Sequence, residues 1–227
     1  YYYFRCPYDD VLSMEVKMNI DINHLSVSFD DQTILDDISC HFPSGKFSCL
    51  VGENGSGKST LLKTLTKDIN KYQGNITDLK SNDYSYIPQN IEDPEFLSVK
   101  EVVKLGFYQS VMSDEAITFQ SRQLLNRFDI QNLECRSFSE ISIGQKQRVW
   151  LAFALAQEKK VILMDEPLAS VDLQSRKNFY SILNTVSQEG KTLIIVTHDL
   201  EIAMEFCDYM VHLDHGTVLF EGPPKKS

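Results

Sequence analysis

No apolar run in the 227-residue sequence is longer than the eight residues "VWLAFALA", Val149 to Ala156, far short of the roughly 20 that a membrane-spanning helix needs. The chain is not expected to span a bilayer by itself. Positive charge is also scarce: 22 Lys and Arg stand against 32 Asp and Glu, for a net charge of −10. Nucleic-acid affinity comes largely from Lys and Arg neutralising phosphates, so this balance argues against a general nucleic-acid binder. The five cysteines (Cys6, Cys40, Cys49, Cys135 and Cys207) are odd in number and lack CxxC spacing. Neither a disulfide framework nor a zinc site is expected from them, and reduced thiols are the simplest reading. The opening "YYYFRCPYDD" has neither a basic start nor an apolar stretch closing on small residues, so it does not read as a secretory signal. Residues 1–17 are expected to be a leader, vector-derived or poorly ordered, with Met14 or Met18 as the natural beginning. Internal repeats and low-complexity segments are missing too.

What is present has the length and pattern of one α/β domain with an insertion. Alternation in "HLSVSF" and the run "ISCHF", separated by "DDQT", suggests an antiparallel pair of strands. "KFSCLVG", "VILMDEP" and "TLIIVTHD" are continuous apolar runs that fit buried parallel strands. From Asp93 to Glu140 the period becomes helical, in "SVKEVVKLGFYQS" and "DEAITFQSRQLLNRFD", and the apolar helix behind Ser142 continues it. A helical insertion over about 93–157 is therefore expected. "YMVHLDHGTVLFEG" reads as a hairpin turned at Asp214, His215 and Gly216.

"GENGSGKST" contains GxxxxGK[ST] at Gly52, Gly57, Lys58 and Ser59, with a predicted strand before it and a predicted helix after it. In such a loop the backbone N–H groups of Gly52, Glu53, Asn54, Gly55, Ser56, Gly57, Lys58, Ser59 and Thr60 curl around phosphate oxygens. The helix N-terminus adds a positive dipole end. Lys58 reaches the β and γ phosphates of a nucleotide, and Ser59 offers its hydroxyl to Mg²⁺.

Two further strand ends carry chemistry. Val161 to Met164 run into Asp165 and Glu166, placing two carboxylates at the edge where open α/β sheets bind ligands. Asp165 suits Mg²⁺, directly or through water; Glu166 suits orienting or deprotonating an attacking water. Thr197 and His198 follow Leu193 to Val196 in the same way. A lone histidine is more often structural than catalytic, and the shared sheet edge raises the weight of the catalytic role for His198.

With these residues in place the chain resembles the nucleotide-binding subunits of ATP-binding-cassette (ABC) transporters, from about Ile20 to Gly222. The resemblance implies a P-loop NTPase α/β fold: a RecA-like parallel sheet core, an N-terminal antiparallel β subdomain and an inserted helical subdomain, all within 18–227. It gives Phe29 a stacking role on adenine; as a residue it equally suits a strand. "YIPQN" matches the family's glutamine loop, making Gln89 a contact to Mg²⁺ and water and a hinge to the insertion. "LASVD" matches the loop whose Asp172 signals across a dimer, and His198 matches the switch histidine that contacts the γ phosphate.

The family's signature, Leu-Ser-Gly-Gly-Gln, falls on "ISIGQ", Ile141 to Gln145, and differs at two positions. In the family this segment closes on nucleotide held by a second subunit, so Ser142, Gly144 and Gln145 would face a partner's ATP. Ile143 stands where the family has glycine, and a β-branched residue disfavours positive φ. The clamp requires that Ile143 keep φ negative.

The resemblance implies a motor subunit that binds ATP and Mg²⁺, pairs with a second, identical nucleotide-binding subunit, and drives membrane-spanning permease subunits on other chains. It would sit peripherally on the cytoplasmic face of the membrane, and "LSVKEVVKLGFYQ" is most similar to importer subunits for iron chelates, cobalamin or zinc. The alternative is a soluble ABC ATPase acting on nucleic acid or a ribosome. Such proteins usually carry paired cassettes, coiled-coil arms or basic extensions, and the sequence shows none of these. A small-molecule phosphotransferase would leave "ISIGQ", "LASVD" and "VTHD" without jobs.

Overall fold

Apolar residues two apart set up the first layer. In the computed structural model, which describes residues 19–30, 32–168 and 171–225, β1 (Ile20–Phe29) turns Ile20, Ile22, Leu25 and Val27 inward. The expected leader, 1–17, lies outside the described residues, as do Ala169 and Ser170 of "LASVD". β1 pairs antiparallel with β2 (Gln32–Phe42) on one side and with β4 (Gln73–Ile76) on the other, giving a three-stranded sheet in the order β2-β1-β4. β4 is short and largely exposed, and its pattern gave no signal in the sequence.

The second sheet has the order β5-β6-β7-β3-β8-β9, built from β3 (Phe47–Val51), β5 (Tyr84–Ile87), β6 (Val161–Asp165), β7 (Thr192–Thr197), β8 (Tyr209–Asp214) and β9 (Thr217–Gly222). All pairs from β5 to β8 are parallel, and β9 is antiparallel to β8. The three central strands are buried on both faces, which is why their sequences read as unbroken apolar runs. Successive side chains still alternate. Phe47, Cys49, Val51, Ile162, Met164, Leu193 and Ile195 enter one core; Leu50, Val161, Leu163, Ile194 and Val196 enter the other. Each fully buried Leu, Ile or Val contributes roughly 1.5–3 kcal/mol before chain entropy is set against it. The hairpin turns on His215 (φ 45°) and Gly216 (φ 79°), the two positive φ values of a type I′ turn.

The second core lies between the two sheets and takes in Leu61, Leu62 and Leu65 of α1 (Lys58–Leu65). The first core is covered by helices: α2 (Val99–Leu105), α3 (Asp114–Arg127) and α4 (Ile143–Ala156) between β5 and β6, then α5 (Leu173–Gln188) and α6 (Leu200–Phe206). Ser98 and Glu101 form a capping box at the start of α2. α4 packs on α2, α3 and β5. Val149, Leu151, Ala152, Ala154 and Ala156 of this helix are buried. Trp150 is only partly buried, edge-on to Phe138 and Phe153. A helix covered on several sides buries more than one stripe. Among the described residues no helix is long and apolar enough to cross a membrane.

Candidate functional site

The C-terminal ends of β3, β5, β6 and β7 converge on one sheet edge, because the parallel register sets Val51 beside Thr197, Asp165 beside Val196, and Ile87 beside Met164. The loop leaving β3 opens there. Gly52 (φ 152°) passes so close to β8 that a Cβ on it would sit 2.2 Å from the Leu213 carbonyl oxygen. Gly57 (φ 102°) caps α1 in a left-handed conformation that side-chain-bearing residues rarely adopt. The loop closes on itself through Ser56 N–H donating to the Glu53 carbonyl at 3.2 Å, and Gly216 N–H donates to the Ser56 carbonyl at 3.2 Å.

Lys58 is only 4 % exposed, and its ammonium donates to the Gly52 and Glu53 carbonyls at 2.9 and 2.8 Å. Its Nζ lies 3.9 Å from Glu166 Oε1. Burial lowers the Lys58 pKa, against the opposing pull of Glu166 and Asp165. Beside it, Ser59 Oγ donates to Asp165 Oδ1 at 3.3 Å. Burial raises the Asp165 pKa; the Ser59 hydrogen bond works the other way, and the neighbouring Glu166 adds to the rise. A cavity of about 460 Å³ opens over these groups, lined by Ile34, Asn54, Gly55, Gly57, Lys58, Ser59, Thr60, Gln89 and Glu166. That is within the usual range for a small-molecule site.

Glu166, one residue past β6, has φ 44°. A carboxylate-bearing residue in this region is strained, and such strain is commonly kept at functional sites. Its N–H donates to the Val196 carbonyl at 3.1 Å, extending the β6–β7 ladder by one step, so the carboxylate turns into the cavity. Gln89 Nε2 donates to Glu166 Oε2 at 3.1 Å, and His198 Nδ1 lies 3.6 Å from the same oxygen. Lys58, Gln89 and His198, from three separate segments, therefore meet around the Glu166 carboxylate.

The remaining candidates lie outside this cavity. Ser142 caps α4, accepting from Gln145 N–H at 3.4 Å while Gln145 Oε1 accepts from Ser142 N–H at 2.9 Å. Ile143 is the first residue of α4, half-exposed at 49 %, and does not take positive φ. Its N–H and that of Gly144 have no partner inside the helix, as at any helix start. The isoleucine thus costs the helix start nothing in backbone conformation. Ile143 also lines a separate cavity of about 200 Å³ with Gln89, Asp93, Lys146 and Trp150. Asp172 is exposed and caps α5 by accepting from Ser175 N–H at 3.0 Å, a bond that lowers its pKa. Phe29, at the end of β1, is 48 % exposed and is not among the residues lining the 460 Å³ cavity; Ile34 is.

Ile34, Arg176 and Asp199 also stand at or behind the site, although no sequence motif singles them out. Arg176 Nη1 donates to Asp199 Oδ2 at 2.7 Å, directly behind His198. Asp199 follows His198 in "VTHD", so adjacency to a candidate residue was the available signal; Arg176 on α5 carried none.

The family model described as ABC transporter matches residues 35–169, more than half of the chain. The chain is 34% identical over 219 residues to the achromobactin transport ATP-binding protein of Dickeya dadantii, covering 88% of this chain and 80% of that protein. It is also 34% identical over 226 residues to a manganese transport system ATP-binding protein of Synechocystis sp., covering 93% of this chain and 86% of that one. Among solved structures, cbiO1 from Clostridium perfringens, part of the ABC transporter complex cbiONQ, superposes with a TM-score of 0.80 at 27% identity, covering 91% of this chain and 88% of the other.

Proposed function

The chain belongs to the ABC transporter family, and on that premise we propose that it is the ATP-hydrolysing motor subunit of an importer for a metal chelate or metal ion. The observation that carries the hydrolytic role is the convergence of Lys58, Gln89, Asp165, Glu166 and His198 on the phosphate-loop edge of one sheet. The loop N–H groups and Lys58 hold the phosphates. Glu166 accepts a proton from a water whose oxygen attacks the γ phosphorus, while the bond to the bridging oxygen breaks and ADP departs. Gln89 and His198 fix the Glu166 carboxylate; His198 also supports the γ phosphate. Phe29 and Ile34 face the base and ribose.

The donor set fits Mg²⁺. Ser59 Oγ and Asp165 Oδ1 are hard oxygens already side by side, and Mg²⁺ is usually held by one or two protein oxygens together with substrate phosphates. Ser59, Asp165 and Gln89 would hold it, and bound there it supplies charge neutralisation for the phosphoryl oxygens.

Two copies close around two ATP molecules, with the N-terminus of α4 from one facing the γ phosphate held by the other. A helix start with free N–H groups and a hydroxyl suits that anion. Permease subunits on other chains dock near Gln89 and the segment 93–110, on the cytoplasmic face of a membrane. Cargo is read elsewhere, since relatives of equal identity serve an achromobactin system and a manganese system.

The test is hydrolysis by the purified chain and its Lys58→Ala variant, followed by recovery of the wild-type chain from its native membrane and identification of the associated subunits. Mg²⁺-dependent ATP hydrolysis lost in the variant supports the motor role. No hydrolysis, alone or with co-purifying membrane subunits, overturns it.

A further inference from the structure

His198 is held from both sides by one helix. Asp199, its neighbour, uses its whole backbone and side chain on restraints: its N–H donates to Thr197 Oγ1 at 3.1 Å, Oδ1 accepts from Ile202 N–H at 3.1 Å to cap α6, and Oδ2 accepts from Arg176 of α5 at 2.7 Å. Thr197, the other neighbour, meets the buried Tyr180 side chain, also on α5. Arg176 and Tyr180 are four residues apart and share a helix face, and Asp172, the cap of α5, stands four residues before Arg176. Glu166, Arg176, Tyr180, Thr197, His198 and Asp199 line one narrow gap, with room for about one water, between α5 and the His198 loop. The His198 ring itself remains about half exposed beside Glu166.

We propose that Arg176 is a positioning residue: through Asp199 it fixes the loop that points His198 at Glu166, and so ties the His198 geometry to the placement of the α5 helix that Asp172 begins. The kinetic side of this inference rests on the hydrolytic reading above. The Arg176–Asp199 pair is mostly buried, its side chains 28 % and 19 % exposed, so removing Arg176 lowers stability whatever its other role. A positioning role is distinguished by a fall in kcat at steady KM and by a moved His198 signal in the folded variant. A planar guanidinium can hold the carboxylate in a fixed orientation that a lysine ammonium only approximates.

The experiment compares wild type, Arg176→Ala and Arg176→Lys in steady-state ATP hydrolysis and thermal unfolding. It also follows the His198 ring resonance by NMR without nucleotide, assigned through its loss in His198→Gln. In Arg176→Ala, kcat is expected to fall about tenfold or more while KM stays within about twofold, since small misplacements near the chemistry cost rate rather than binding. The His198 resonance shifts or broadens at temperatures where the variant is fully folded, and Arg176→Lys recovers part of both effects. Unchanged kcat, or a joint loss of kcat, KM and Tm without rescue by lysine, overturns the inference. If the wild-type protein does not hydrolyse ATP, the hydrolytic reading fails and the resonance decides alone: movement in Arg176→Ala supports the strut, and an unmoved signal refutes it.

Discussion

The Gln89 side-chain amide donates to Glu166 Oε2 over 3.1 Å, joining two residues 77 positions apart in the chain. Adjacent strands β5 and β6 make the meeting possible, because each residue lies just beyond the end of its strand. The same oxygen faces His198, so Glu166 is the hub of the site.

Replacing Glu166 with glutamine keeps the shape of this hub and removes the proposed proton acceptor. Turnover is expected to fall roughly 10²–10⁴-fold, the usual contribution of a general base, with nucleotide still bound. ATP should then trap a dimer, visible by light scattering. Hydrolysis at the normal rate would remove Glu166 from the catalytic role.

Gly57→Ala tests the phosphate loop. At φ 102° an added Cβ would lie 2.5 Å from Leu35 Cδ2, in a backbone conformation already unfavourable for alanine. Stability should drop by about 1 kcal/mol or more, read from urea unfolding, with a parallel loss of ATP affinity. Full affinity in a folded Gly57→Ala protein would contradict the geometry given to this loop.

Asp165 sets function against stability. Burial raises its pKa in the folded protein, so the folded state holds its proton to higher pH than the unfolded chain does. Stability linked to this group is present in full below the unfolded carboxylate pKa and is lost as pH rises through the raised folded value. Asp165→Asn should therefore melt higher than wild type at neutral pH, with the difference shrinking in acid, while Mg²⁺-dependent turnover disappears. A lower Tm at neutral pH would show that the Ser59 hydrogen bond outweighs burial.

At the start of α4, Ile143→Gly should cost at most about 1 kcal/mol, because the residue is half-exposed at the first helical position. ATP affinity of the single subunit should stay unchanged, while the ATP concentration needed for dimerisation shifts. A collapse of monomer affinity would show that this segment serves its own phosphate loop.

The glycine-rich loop, the two carboxylates, His198 at its strand end and the buried strands were legible in the sequence because each is local: a turn needing glycine, a strand needing apolar residues on both faces, a charged pair at its end. β4 was not legible, because a short exposed edge strand takes its conformation from pairing with β1 rather than from its own residues. Ile34 entered the cavity lining only through the placement of β2, and Arg176 became relevant only when α5 packed behind β7.

The sequence by itself therefore determined the kind of chemistry, since nucleotide binding and hydrolysis depend on residue types at short spacing. Only the tertiary structure decided how those groups share one site. It brought Gln89 and His198 to a single oxygen of Glu166, put Ile143 in a helix rather than a left-handed turn, and anchored the His198 loop to α5. These are distances between segments, and parallel strand register and helix packing fix them in ways no local pattern encodes.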